Sequence, residues 1–353
     1  MSAYPLLQAH PKLAAALPVA GLLAGPTPIA ALAGAPGLFV KRDDLSAPDY
    51  GGNKVRKLDF LLADAQARGA RELLTFGYAG SNFVAATSWH GRKLGLRTIA
   101  YLLPQQTADY VADNLAVDLA AGAELHVLGG TGRIGAAAVL RSAAALLRSG
   151  RAPVWIPPGG SSPLGTVGFV NAAFELERQV ESGAMPEPDV IYTAFSSMGT
   201  VAGLALGLEL AGLRARIQAV QVVGPQFASW RKLEDLVGQT GRWLRRLDPA
   251  LKPGRALERV QIRNEFLGAG YAKPAGETRP AMRRFVSSGG SRADPCYSGK
   301  ALAGLYHDLD VGRLRDKVTL YWHTLSARNL PPGVRRPAPE SVPAALRDYF
   351  KPL

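Results

Sequence analysis

Lys54 follows the turn Gly51-Gly52-Asn53 and opens a stretch in which Val55, Leu58, Phe60-Leu61-Leu62 and Ala65 recur at helical spacing. A lysine at a helix N-terminus on a tight turn is placed to act as an amine nucleophile. Desolvation and the positive helix end both favour the neutral amine, which forms a Schiff base with an aldehyde. On spacing alone a solvated lysine is the commoner reading, because most lysines are exposed. Lys57 lies three residues on, along the same helix face.

Four further segments carry polar groups in patterns that chemistry uses. Gly77-Tyr78-Ala79-Gly80-Ser81-Asn82-Phe83 reads as a glycine turn into a helix, and Ser-Asn at that place is a cap in its own right. Ser196-Ser197-Met198-Gly199-Thr200 links a strand to a helix, where free backbone N–H groups and the helix dipole favour an anion. Simple capping is the alternative there; its position at the carboxyl edge of a sheet, where α/β proteins bind ligands, favours phosphate. Tyr271 and Tyr297 each sit in a short Gly- or Pro-bearing block, and either tyrosine alone would more often serve packing with a wet hydroxyl. Finally, His323-Thr324 ends a strand-like run.

The elements that must position these residues alternate in an α/β manner. Strands are expected at 72–76, 98–103, 124–128, 153–157, 189–194, 218–223 and 318–322. Helices are expected from Lys54, and at 81–94, 108–121, 135–147, 165–180 and 200–211. Right-handed crossovers then give parallel sheets. A length of 353 residues suits two domains. No internal repeat suggests a solenoid. The Pro-rich stretch 330–343 reads as surface wrap before a short terminal helix.

Composition narrows the class. Hydrophobic residues make up 47% and charged ones 20%, ordinary for a soluble globular protein. The formal charge of +13 invites a nucleic-acid reading, yet acidic residues interleave the basic ones between Arg214 and Arg284 and no nucleic-acid-binding signature appears. The single cysteine, Cys296, excludes an intrachain disulfide, reads as a small buried hydrophobe and fits a reducing, cytoplasmic setting. The five scattered histidines show no metal-ligand pairing. Leu13 to Ala35 superficially resembles a signal-peptide core, but Pro18, Pro26 and Pro28 interrupt it. No run reaches the roughly 18 uninterrupted apolar residues of a membrane span.

Phe39 to Leu45 followed by Asn53-Lys54-Val55-Arg56-Lys57-Leu58-Asp59-Phe60-Leu61 resembles the pyridoxal-phosphate enzymes of the 1-aminocyclopropane-1-carboxylate deaminase and D-cysteine desulfhydrase family, of the tryptophan-synthase-β-like fold. The order of blocks continues almost to the end of the chain. The resemblance implies two open, mainly parallel-sheet three-layer α/β domains with the cofactor in the cleft between them. It assigns 1–56 and 165–353 to a large, discontinuous cofactor domain and 57–164 to a small one. It also implies a homodimer.

Carried over residue by residue, the resemblance gives Lys54 the cofactor's aldehyde and Lys57 its phosphate. Asn82 takes the phenolic oxygen, the loop Ser196 to Thr200 the phosphate, and Thr324 the pyridine nitrogen. Ser81 faces the substrate, Tyr297 is a candidate acid/base and Tyr271 a substrate-side hydroxyl. Pro157 to Gly165 corresponds to the return crossing between domains, expected to act as hinge and helix cap; members often carry Asn where Ser162 stands. Phe83, Met198 and Leu325-Ser326 depart from the family's His or Gln, glycine-rich loop and Gly-Gly. Ser298 sides with the desulfhydrases' threonine rather than the cyclopropane deaminases' glutamate.

A hydroxyl at the pyridine nitrogen makes a restrained electron sink, which suits β-elimination from a small amino acid to a 2-oxo acid and ammonia. Cyclopropane ring-opening, β-replacement or racemisation would use the same cofactor. A basic binding protein on a degenerate enzyme fold is the competing class, and it would retain nucleic acid in a salt-sensitive way.

Overall fold

In the computed structural model, which describes residues 2–351, the chain divides into two compact units. The first comprises the N-terminal segment up to Leu17, Leu23–Lys57 and Ser161–Ala327. The second comprises Pro18–Leu22, Leu58–Gly160 and the segment from Arg328 onward.

In chain order the elements begin with the short helices α1 (Pro5–Ala9) and α2 (Pro11–Ala16), each opened by proline, then β1 (Ile29–Ala31) and β2 (Leu38–Arg42). Helix α3 (Lys54–Ala67) follows, then β3 (Glu72–Tyr78), α4 (Asn82–Lys93), β4 (Arg97–Leu103) and α5 (Asp109–Ala120). Next come β5 (Glu124–Val127), α6 (Thr131–Ser149), β6 (Val154–Ile156), α7 (Pro163–Glu181) and β7 (Val190–Phe195). The chain continues with α8 (Gly199–Leu210), β8 (Arg216–Gln221), α9 (Trp230–Leu247) and β9 (Val260–Arg263). It closes with α10 (Thr278–Ser287), α11 (Ser298–Asp310) and β10 (Thr319–His323).

The first unit is built on a six-stranded sheet of order β1-β2-β10-β7-β8-β9, parallel except for the β1–β2 pair. Side-chain alternation sorts its two faces. Val40, Tyr192, Val220 and Tyr321 point into one core with Phe285 of α10 and Leu302, Leu305 and Tyr306 of α11. Their neighbours Lys41 and Trp322 point the other way, where Glu175 and Phe169 of α7 meet them. Helices thus cover both faces.

Within that second face lies a buried ion network. Arg56 donates to Asp43 and to Glu175, and Lys41 donates to Glu175 at 2.5 Å. Trp322 Nε1 donates to Asp43 Oδ2 at 2.7 Å. Two cations and two carboxylates cancel, which lets four charges be buried together. Burial alone would raise the Glu175 carboxyl; Arg56 and Lys41 hold it down at about 2. For Lys41 burial wins, and its ammonium drops to about 8.

The second unit carries an all-parallel sheet of order β5-β4-β3-β6. Ala100 and Leu102 pack with Val111 and Leu115 of α5, and Ile99 and Tyr101 pack on the opposite face with Ile134 and Ala138 of α6. No helix among the described residues is long and apolar enough to cross a membrane.

Several boundaries differ from expectation. The segment from Arg328, expected in the large domain, belongs to the second unit. Its Val342 and Leu346 are buried beside Val111 and Leu115, and Arg336 pairs with Asp109 and Asp113. Pro18–Leu22 also belongs there, held by Asp59 through the N–H groups of Ala20 and Leu22. The cut between the units falls at 57/58 and 160/161 rather than at 56/57 and 164/165. Helix α6 is longer than expected at both ends, α7 starts two residues earlier with Pro163 in its first turn, and β8 sits two residues earlier. Helices α9, α10 and α11 and strands β1, β2 and β9 were not anticipated.

Candidate active site

The turn before α3 has room for nothing but glycine. A Cβ on Gly51 would lie 2.4 Å from the Asp44 carbonyl oxygen, and Gly52 takes φ +98 with Thr324 O and Ser326 N each 3.1 Å from its would-be Cβ. The Gly52 N–H donates to Asp43 O and the Asn53 N–H to Thr324 O. Backbone from β10's end therefore pins the turn, and Lys54 starts the helix from a fixed point. Lys54 is half-buried. Burial lowers its ammonium to about 8 against the opposing pull of Asp294. This is not the solvated helix-start lysine that spacing alone favoured.

Lys57, one turn on, is fully buried, and burial followed by the nearby Lys54 charge pushes its ammonium well below the usual lysine range. Its Nζ lies 3.4 Å from Ser161 Oγ. At the start of α8, the Gly199 N–H donates to Ser161 Oγ at 3.2 Å. A Cβ on Gly199 would sit 2.8 Å from both Lys57 Nζ and Ser161 Oγ. The Lys57 amine, the Ser161 hydroxyl and the N-terminus of α8 thus converge, a donor set that suits a phosphate. Met198 adopts a left-handed backbone (φ 66), so this loop turns at a bulky residue where glycine would be unstrained. Ser196 and Ser197 lie half-buried in the same loop. Thr200 Oγ1 accepts from Asn53 Nδ2 at 3.1 Å, which ties the loop to the Lys54 turn.

A second polar group joins the segment before α10 to the loop before α11. The Tyr271 and Tyr297 hydroxyls are 2.8 Å apart, their rings edge to face. Burial first, then Tyr271, raise the Tyr297 phenol well above its ordinary value, so it stays protonated. Asp294 anchors this turn, accepting from the N–H groups of Cys296, Tyr297 and Ser298. Cys296 is buried, as expected of a small hydrophobe. Thr324 is half-buried at the end of β10, beside the buried His323 and Leu325.

Lys54, Lys57, the 196–200 loop, Tyr271, Tyr297 and Thr324 all belong to the first unit. Ser81 and Asn82 belong to the second. There Ser81 caps α4, its oxygen accepting from the Val84 N–H, and Asn82 Oδ1 accepts from Asn114 Nδ2 at 2.8 Å. Ser162 caps α7. Ser161, Asn53 and Asp294 were missed as site residues. Ser161 sits in a segment read only as hinge and cap, and its contact with Lys57 spans 104 positions. Asp294 stood in plain sight within Asp-Pro-Cys-Tyr-Ser, where Asp three before Tyr is a capping signal.

Residues 21–324 match the model of a family described as pyridoxal-phosphate dependent enzyme. The chain is 37% identical over 320 residues to a nocardicin C-9' epimerase of Nocardia uniformis subsp. tsuyamanensis, covering 89% of this chain and 94% of that protein. It is 33% identical over 297 residues to a D-cysteine desulfhydrase of Klebsiella pneumoniae, covering 81% and 86%. Among solved structures, one described as an ACC deaminase homologue matches with a TM-score of 0.75 and 32% identity, covering 90% of this chain and 95% of that one.

Proposed function

Since the chain belongs to the pyridoxal-phosphate dependent enzymes, we propose that it is a lyase or deaminase of the D-cysteine desulfhydrase kind. It would act on a small amino acid, removing the α-proton and expelling a β-substituent to leave, with water, a 2-oxo acid and ammonia. The observation that carries this reading is the half-buried Lys54 amine, lowered to about 8, one helical turn from the Lys57–Ser161–Gly199 cradle. Kinship with proteins named D-cysteine desulfhydrase supports the substrate class.

When bound, pyridoxal phosphate supplies an electron sink conjugated to the substrate's α-carbon. Lys57, Ser161 and the 196–200 backbone would hold its phosphate, Asn82 its phenolic oxygen and Thr324 its ring nitrogen. Lys54 would hold the cofactor through its amine, and the same amine is placed to take the α-proton. An amine poised near pH 8 is suited to both tasks. Tyr297, kept protonated, delivers a proton to the leaving group, with Tyr271 holding its hydroxyl in line and Ser81 meeting the substrate carboxylate. The protein would work as a cytoplasmic homodimer.

A second reading is epimerisation at the α-carbon, favoured by the epimerase relative and by the protonated Tyr297, a group able to return a proton. One experiment separates the readings. The protein loaded with pyridoxal phosphate is offered D- and L-amino acids. Release of 2-oxo acid, ammonia and sulfide supports elimination; α-deuterium uptake from D2O without release supports epimerisation. Lys54→Ala is expected to abolish both, together with the visible band that borohydride fixes on the Lys54 peptide. Undiminished turnover in Lys54→Ala would refute the assignment.

A further inference from the structure

We propose that an arginine-lined cleft at the amino edge of the second unit's sheet is a binding site for a small molecule carrying two or more anionic groups, a polyphosphate or a polycarboxylate. The inference is independent of the cofactor reading, because every residue of the cleft belongs to the second unit and none to the Lys54 site.

The cleft has a volume of about 460 Å³, inside the range of small-molecule sites. It lies where β3 and β4 begin and α6 ends: Arg71, Glu72 and Arg97 line it together with Arg141 and Arg148 of α6 and Arg151 just beyond. The remaining lining residues are uncharged. Glu72 and Glu124 of β5 are both engaged by the same two arginines. Arg97 donates to Glu72 at 3.2 Å and to Glu124 at 2.5 Å. Arg141 donates to Glu72 at 3.1 Å and to Glu124 at 3.1 and 3.3 Å, and His126 shares Glu124 at 2.8 Å. Two carboxylates thus match two guanidinium groups and have no charge left for the others.

Arg71, Arg148 and Arg151 have no carboxylate partner among the described residues. Arg148 donates one bond, from Nε to Ala144 O at 3.2 Å, Arg151 donates one, from Nη1 to Gly69 O at 3.3 Å, and the Arg71 guanidinium donates none. An arginine fork holds five N–H groups, so these three exposed side chains keep most of their donors. Three positive charges therefore share one hollow without a counter-ion, which concentrates anions there. Guanidinium forks also match carboxylate and phosphate oxygens two at a time. The end of α6 contributes carbonyls of the wrong sign for an anion, but Arg148 covers Ala144 O and the Gly150 N–H covers Leu146 O. A single-stranded nucleic acid fits less well, since the lining offers no aromatic ring for a base to stack on. The cleft is also remote from the Ser81–Asn82 turn: about 20 Å of strand β3 separates Glu72 from Tyr78.

The test uses the full chain with pyridoxal phosphate present, so that any phosphate site beside Lys57 is already filled. Inorganic pyrophosphate and citrate are titrated calorimetrically at an ionic strength of about 0.15 M, where exposed charges are screened beyond roughly 8 Å. At least one is expected to bind with a Kd of about 1 mM or tighter. Preference for pyrophosphate identifies a phosphate ligand, and preference for citrate a polycarboxylate. Arg71→Gln and Arg151→Gln, which break no ion pair of the protein, are each expected to weaken binding about fivefold, the upper end for an exposed pair. Arg133→Gln, exposed on α6 but outside the cleft, is expected to leave it unchanged. Affinity weaker than about 1 mM for both anions, or equal losses in Arg133→Gln and the cleft variants, would overturn the proposal. Binding of a short single-stranded RNA in place of either small anion would do the same, since the charge then serves a polymer.

Discussion

Replacing Glu175 by glutamine removes one of the two negative charges that neutralise Lys41 and Arg56. The carboxylate accepts five bonds: two from Arg56 at 2.9 Å, one from Lys41 at 2.5 Å, and two from Thr27 at 2.9 and 3.1 Å. Glutamine retains one acceptor and turns an NH2 toward cations. Leaving a buried positive charge uncompensated costs about 3–5 kcal/mol. The pH dependence makes the test sharper. Lys41 titrates in the folded state at about 8, below its ordinary value, and Glu175 pulls it upward. The folded protein therefore binds fewer protons than the unfolded chain above pH 8, and stability rises with pH from there toward the ordinary lysine value. In Glu175→Gln the Lys41 ammonium falls further and this window opens below pH 8. The variant gains stability between pH 7 and 8, where the wild type does not, so its deficit shrinks by ~1.4 kcal/mol per unit over that interval. Chemical denaturation at pH 7 and 9, followed by fluorescence of Trp322 with the other tryptophans replaced, measures both quantities. A deficit below about 1 kcal/mol at pH 7, or one that grows on going to pH 9, would refute the reasoning.

Gly199→Ala is expected to weaken pyridoxal phosphate binding by about tenfold or more, since the methyl group would fill the space 2.8 Å from Lys57 Nζ and Ser161 Oγ. Unchanged affinity in an absorbance titration would show that the phosphate lies elsewhere. Leu346→Ala, in the segment unexpectedly found in the second unit, is expected to cost about 2–5 kcal/mol of that unit's stability. Hydrogen exchange should then speed up in α5 while β7 and β8 keep their protection; a uniform or absent change would contradict the division into units.

The α/β alternation was legible because its strands are short apolar runs and its helices are closed by glycines: Gly95 and Gly122 take left-handed backbone just after α4 and α5. The elements that escaped notice carry mixed messages. Helix α9 has Leu233, Leu236, Val237 and Leu244 on a buried face, but its arginines drew attention to charge instead. Strand β2 ends in Lys41 and Arg42, a charged ending that makes sense in a buried strand only because Glu175, Gln179 and Thr27 receive Lys41. Which unit the C-terminal segment joins is a matter of distant contacts, Leu346 with α5 and Arg336 with Asp109, that no local pattern announces. In the site, the Lys54 turn and the 196–200 loop were visible as glycine and serine punctuation. Ser161 was not, because a lone serine acquires meaning only when folding brings Lys57 and Gly199 to it.

Strand β10 lies between β2 and β7, though it is the last strand to be made, and its end supplies the carbonyl that holds Asn53. During synthesis the middle of that sheet stays open until the ribosome has passed residue 323. The nascent chain can therefore own Lys54 while roughly 270 further residues are made without being able to aim it. A vitamin-derived aldehyde arriving early would meet an ordinary flexible amine, and competence would switch on only when the missing middle strand slots in.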